Sequence, residues 1–305
     1  MRQSAQITFL PDGRRLHLHD GPIDLIVEAF GFPGQIQTAY RAAAERFVTV
    51  LDELCGELPF LRKPARKDSP LPAGVIAKRM FEAVAPYCDR TFITPMAAVA
   101  GAVAEEILGT MTSAARLSRT YVNNGGDIAL HLAPGEHFVV GMVELPDRRS
   151  LFGTATLDSM QPTRGIATSG WRGRSFSLGI ADAVTVLADR AAMADAAATI
   201  IANAVDLPGH PGVVRVPAHD LAPDSDLGNL LVTRDVGQLS SNESALALDA
   251  GVAVAESLVA NGLVRSAALH LCGTTRIVHV PSDTKLLPGL FLTEGESRGW
   301  LELCR

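Results

Sequence analysis

Aromatic side chains are scarce: they make up 5% of the 305 residues, with tryptophan occurring twice and tyrosine three times. A core must then be assembled from aliphatic and small side chains. The 27 glycines and the many alanines allow backbones to approach closely. Cysteine is also sparse. Cys55, Cys88, Cys272 and Cys304 lie far apart with no CxxC spacing, which argues against a thiolate zinc site or a redox pair and fits reduced, mostly buried thiols. Basic excess is missing as well: the net charge is -6 and the pI is near 5.8, so a nucleic-acid partner is not expected. The one basic cluster, Arg62, Lys63, Arg66 and Lys67, sits among Pro59, Pro64, Pro70 and Pro72 and reads as a solvated loop. No run of about 18 apolar residues is free of glycine and charge, and the first residues lack the apolar centre of a signal peptide. A cytoplasmic protein without a membrane partner is the expectation.

What is present organises around Ala181 to Val205. The β-branched Val184, Thr185 and Val186 predict a strand, and after Asp189 and Arg190 an alanine-rich helix follows. On that helix Asp195 and Thr199 stand one turn apart on a shared face, a carboxylate and a hydroxyl in apolar surroundings that suit a hard cation such as Mg²⁺. A dipole-favoured Asp and a Thr bonded back to its own helix account for the same pair.

Earlier in the chain, Ile7 to Leu10 and Arg15 to Leu18 flank Pro11-Asp12-Gly13, and Asp24 to Phe30 adds a strand, so antiparallel pairing is expected. Gln35 to Leu54 has apolar residues at helical spacing, and Ala77 to Ala85 reads as a short helix. Thr94-Pro95 caps a helix whose Ala97, Gly101 and Ala104 leave one face nearly bare, for close packing or for a ligand. Arg119 to Val122 and Ile128 to Leu132 flank Asn123-Asn124-Gly125-Gly126-Asp127, a hairpin turn whose glycine amides are alternatively available to a phosphate or flavin.

Strands are expected at Phe138 to Val143, Leu151 to Thr156 and Gly165 to Thr168. Thr168-Ser169-Gly170-Trp171 then leads into Arg172 to Gly179, where Ser175, Ser177 and Gly179 alternate as in a strand and Arg174 offers an anion contact. The Pro-rich stretch after Val205 reads as a long surface loop, with Leu230 to Asp235 a short strand. Asn242 is expected to cap a helix through Ala260, closed by Asn261-Gly262. A final hairpin turns at Gly273, and its His270 and His279 read as packed or edge histidines.

Asn-Asn-Gly-Gly-Asp-Ile at 123–128, Ala-Thr-Ser-Gly at 167–170, Val-Thr-Val at 184–186 and Ala-Asp-Ala-x-x-Thr at 194–199 together resemble the ApbE-like superfamily, relatives of FAD:protein FMN transferases. The whole chain looks like a cytosolic branch of it, in which Thr-Pro-Met-Ala-Ala-Val-Ala-Gly and Ala-Asp-Ala-Val-Thr-Val occur as here.

The resemblance implies a single α+β domain over residues 1–305, two lobes of antiparallel-rich sheet covered by helices with a pocket between them. It implies Mg²⁺ on Asp195, Thr199 and the carbonyl of Ala97. It also implies a nucleotide pocket lined by Gly125, Gly126, Asp127, Thr168, Ser169 and Gly170, with FAD or FMN as substrate or ligand. Two departures stand out: Ala100-Gly101 replaces the transferases' Lys-Gly, and Phe176 to Ala183 replaces their His-Ile-Asp-Pro, leaving Asp182 for part of the base's role. The resulting expectation is a Mg²⁺-dependent enzyme acting on a flavin or related phosphorylated cofactor, by transfer or pyrophosphate hydrolysis. The alternative is a non-transferase descendant, an enzyme with another substrate or an accessory subunit, in cytosolic cofactor or sulfur-metabolite synthesis. A homo-oligomer is compatible with either.

Overall fold

The computed structural model describes residues 5–145 and 148–279 and the short strands Leu286–Pro288 and Trp300–Glu302; for residues 142–145 and 148–153 and for those two short strands it describes the backbone alone. In chain order the strands are β1 (Gln6–Phe9), β2 (Leu16–Asp20), β3 (Ile23–Phe30), β4 (Arg119–Asn124), β5 (Asp127–Leu132), β6 (His137–Leu145), β7 (Arg148–Asp158) and β8 (Gly165–Ser169). They continue as β9 (Ala183–Ala188), β10 (Val213–Pro217), β11 (Leu231–Val236), β12 (Ser266–Leu271), β13 (Thr274–His279), β14 (Leu286–Pro288) and β15 (Trp300–Glu302). The helices are α1 (Pro33–Leu61), α2 (Val75–Val84), α3 (Val99–Ala114), α4 (Ala191–Ala204), α5 (Ala218–Leu221) and α6 (Ser241–Ala260). This is an α+β fold with predominantly antiparallel pairing, as expected. The chain divides into two compact units with interleaved segments: residues 1–137, 158–166 and 189–193 form one, and 138–157, 167–188 and 194–305 the other.

In the first unit β1 to β5 pair in sequence as an antiparallel meander, with the start of β8 against β5. Strict alternation sorts each strand by face: Leu16, Leu18, Leu25 and Val27 point into the core, while His17, His19 and Asp24 point out. Helix α1 lays Tyr40, Phe47, Val50 and Leu54 inward and packs on α3, β2 and β3. The Tyr40 hydroxyl donates to the Arg14 carbonyl at 2.6 Å and accepts the Ala29 amide at 3.0 Å, and burial pushes its pKa up to about 12. Helix α1 extends beyond the sequence expectation to Leu61, through Pro59.

In the second unit the rest of β8, then β9, β12 and β13 pair in that order, with α6 packed on β12 and β13. Around them sits a core of the small residues that the composition demands: Val184, Val186, Ala194, Ala197, Ala198, Ile201 and Ala255 are all buried. Strands β14, β7, β6 and β15 form a separate sheet, β15 lying parallel to β6.

Several expectations change. The Pro-rich stretch after Val205 is no structureless loop, because β10 and β11 pair as an antiparallel ribbon within it. Arg172 to Gly179 forms turns and bends rather than a strand. Helix α6 is capped by Ser240, not Asn242: Ser240 and Glu243 form a reciprocal capping box that outcompetes a cap two residues later. Cys55 and Cys272 are exposed rather than buried; Cys304 lies outside the described residues.

Candidate functional site

A Cβ placed on Gly101 would lie 2.3 Å from the carbonyl oxygen of Ala191, and one on Gly165 would lie 2.2 Å from the amide nitrogen of Ala191. Two glycines therefore clear the space into which the first turn of α4 fits, which makes close packing the explanation of α3's bare face. One helical turn beyond Gly101, Glu105 holds that turn electrostatically. Its carboxylate accepts the Ala192 amide at 2.8 Å and the Arg190 guanidinium at 2.8 Å, with Arg79 at 3.1 Å on the same group. Glu105 was missed in the sequence reading; its position four residues after Gly101, on the same helical face, is the signal that identifies it.

Beside this anchor, Glu105, Thr112, His131, Arg164, Asp189 and Arg190 line an indentation of about 270 Å³. Burial and the neighbouring Arg164 hold the His131 imidazole below its ordinary pKa, and burial also lowers that of Arg164, whose guanidinium donates to the carbonyls of Ser159, Gln161 and Thr163.

The hairpin of β4 and β5 forms as predicted, with Asn124 opposite Asp127 and positive φ at Gly125 and Gly126, 65° and 111°. The Gly126 amide donates to Asn123 Oδ1 at 2.8 Å within the turn. Gly125 is exposed and Asp127 half-buried. Ala97 lies in a short 3₁₀ turn, Pro95–Ala98, ahead of α3.

Asp195 and Thr199, both half-buried, occupy the same face of α4 in the second unit. In that unit Thr168 on β8 shares a 2.9 Å hydrogen bond with Thr185 on β9. At Gly170 the chain turns against Asp182, whose carbonyl would lie 2.5 Å from any Cβ there. The Asp182 carboxylate is committed to three donors: Arg172 Nε at 2.7 Å, Trp171 Nε1 at 3.2 Å and the Cys272 amide at 2.7 Å. The Arg172 guanidinium also stacks 4.4 Å from the Trp171 ring centroid. These contacts fix the corner after Gly170. Ser177 lies in the same loop. Buried to 3% exposure, its hydroxyl donates to Asn203 Oδ1 at 3.3 Å and accepts the Gly179 amide at 3.2 Å, so it ties the loop to α4. Arg174 is exposed at the outer bend.

Fold and site together define an α+β protein with an oxygen-donor pair on a tightly seated small-residue helix. The chain belongs to the family described as AbpE bacteria, whose model matches residues 7–277. It is similar to UPF0280 proteins of archaea: 40% identical over 129 residues to that of Methanopyrus kandleri, covering 42% of this chain and 48% of that protein, and 32% identical over 190 residues to that of Methanosphaerula palustris, covering 58% and 72%. The chain spans about half the length of the first of these relatives. Among solved structures it is similar to the ApbE protein of Thermotoga maritima (12% identity, 90% and 96% coverage, TM-score 0.45) and to the flavin transferase ApbE of Vibrio cholerae (13%, 91% and 98%, TM-score 0.40). Among the described residues no helix is long and apolar enough to cross a membrane.

Proposed function

We propose that this protein is a Mg²⁺-dependent enzyme acting on a flavin or a related phosphorylated cofactor, by group transfer or by pyrophosphate hydrolysis, in the cytoplasm. The observation that carries the reading is the Asp195–Thr199 pair, one turn apart on α4, inside the stretch of residues 7–277 that the family model matches. The donor set fits the ion: a carboxylate and a hydroxyl are hard oxygen ligands, and both are half-buried, accessible yet partly shielded. Asp195 and Thr199 would hold Mg²⁺, which when bound supplies Lewis-acid neutralisation of pyrophosphate charge. Thr168, Ser169 and Gly170 would line the cofactor's pocket. Arg174, which is exposed, would meet a phosphate, whereas Arg172 is held by Asp182 and Trp171. In the hydrolytic version water adds to one phosphorus, the bridging P–O bond breaks, and FAD yields FMN and AMP.

The second reading, a descendant with another substrate or a role as an accessory subunit, is favoured by Ala100, which offers no cation where the transferases carry lysine, and by the engaged state of Asp182. Incubating the protein with FAD and Mg²⁺ and following FMN, AMP and flavin attachment by mass spectrometry separates the two. The proposal expects product formation that falls at least about a hundredfold in Asp195→Ala, the scale of several kcal/mol of lost charge stabilisation. Folded protein giving neither product nor FAD binding would overturn it.

A further inference from the structure

On the outer face of the first unit, far in sequence from α4, three metal-ligating side chains converge. His17 and His19 alternate with the core residues Leu16 and Leu18 on β2, so both imidazoles stand on the same face. The β2–β3 register places Asp24 directly opposite His19 and diagonal to His17. Asp24 Oδ1 is hydrogen-bonded to His17 Nε2 and lies 3.9 Å from His19 Nδ1. The two imidazole centroids are 6.1 Å apart, and one ligand atom from each of the three residues falls within 4.8 Å of the others. Among the described residues this is the one group of three or more His, Cys, Asp or Glu side chains so arranged.

From this geometry we propose that His17, His19 and Asp24 form a binding site for a divalent transition-metal ion of the zinc class. An ion pair between a histidine and an aspartate needs one imidazole; here two are aimed at the same carboxylate oxygen. Two imidazole nitrogens and a carboxylate oxygen are borderline donors that select Zn²⁺ and its neighbours over Mg²⁺. Metal–ligand distances of about 2.0–2.2 Å put tetrahedral donors roughly 3.3 Å apart, so rotamer adjustments at exposed side chains suffice to close the present spread. The frame beneath is rigid: the alternate residues Leu18, Leu25 and Val27 are fully buried, which prevents the register from slipping. Side-chain exposures of 32% for His17 and 42% for both His19 and Asp24 leave the site open to an incoming ion. Three protein ligands leave a coordination position for water or an exogenous ligand, the arrangement of a reactive or exchanging site rather than a closed structural one. The sequence signal is the His-x-His alternation in a strand facing an Asp across a tight hairpin.

The site is tested by titrating the metal-stripped full chain with ZnCl₂ in a calorimeter, alongside the His17→Ala, His19→Ala, Asp24→Asn and Asp195→Ala variants, each checked for folding by circular dichroism. The expected result is one ion per chain. Affinity should fall more than about tenfold in each of the first three variants, stay unchanged in Asp195→Ala, and resist millimolar Mg²⁺. Substitution with Co²⁺ supplies a second readout, since histidine and carboxylate ligation gives visible d–d bands without the thiolate charge-transfer band that Cys55, Cys88 or Cys272 would produce. Zinc binding that survives both histidine substitutions, or a cobalt spectrum with thiolate character, would overturn the assignment. So would the absence of zinc binding by the folded chain.

Discussion

Helices α4 and α6 begin in contrasting ways. At α6 the start is written within four residues: Ser240 Oγ accepts the Glu243 amide at 3.3 Å, and the Glu243 carboxylate accepts the Ser240 amide at 2.7 Å. At α4 the Ala192 amide is satisfied by Glu105, 87 residues away, and the turn fits only because Gly101 and Gly165 have no side chains. A helix that must merely exist can be specified locally. The helix that carries Asp195 and Thr199 is instead set by tertiary contacts, which fix where its face lies as well as that it forms.

The sharpest way to break this contrast is to fill the cleared space. Gly165→Val places a Cβ within 2.3 Å of three Arg190 and Ala191 backbone atoms, none of which can rotate aside. A loss of about 3 kcal/mol or more is expected, read as a collapse in thermal midpoint or in soluble yield. Gly109→Ala in the same α3 region is the control. Nothing lies within 4 Å of its Cβ position, so relief of glycine's helical cost should leave stability unchanged or raise it by about 0.5–1 kcal/mol.

Next in size is Glu105→Ala, which orphans the Ala192 amide and leaves Arg79 and Arg190 without their shared carboxylate. About 2–3 kcal/mol should be lost in a denaturant titration. Arg190→Ala should cost less, about 0.5–1 kcal/mol, because its side chain is 45% exposed. Equal losses from the two would show that the amide cap contributes nothing.

Smaller again is the test at α6. Ser240→Ala should cost about 1 kcal/mol, whereas Asn242→Ala, one position inside the helix start, should stay within about 0.5 kcal/mol. The reverse ranking would restore the cap that the sequence alone suggested.

That misplacement shows where legibility ends. Strands alternating between core and solvent, as in Leu16 to Asp20, and the Asn-Gly turn at 124–125 were readable because period and turn chemistry are local. The choice between Ser240 and Asn242 turned on a carboxylate folding back, visible only as Ser-x-x-Glu. At the site, the helical spacing of Asp195 and Thr199 was plain, but the engagement of Asp182, the tie of Ser177 to Asn203 and the clamp at Glu105 depend on partners brought from elsewhere in the chain. Nothing local marks His17 and His19 as a pair with Asp24; the β2–β3 register sets Asp24 against them.

The mildest prediction uses acid to separate the two helix starts. His131 lies on the indentation beside α4's first turn with Glu105, Arg164, Asp189 and Arg190, and burial, then the charge of Arg164, holds its pKa below the ordinary 6.5. As pH falls through 6.5 the unfolded chain takes up this proton first, so stability must decline with acidification until the folded-state value is passed and the loss is complete. Glu243 behaves otherwise. The Ser240 hydroxyl, the Ser240 amide and His210 hold its carboxylate down to about 2, so its contribution persists through the mildly acidic range and is lost only as pH falls from about 4.5 toward 2. Chemical denaturation of wild-type and His131→Gln protein between about pH 7 and pH 5 should therefore show a flatter slope in the variant. Ser240→Ala, tested over the same interval, should shift the curve and leave its slope intact. A wild-type slope unchanged by His131→Gln would mean that the imidazole is not the group through which acid reaches the anchored end of α4.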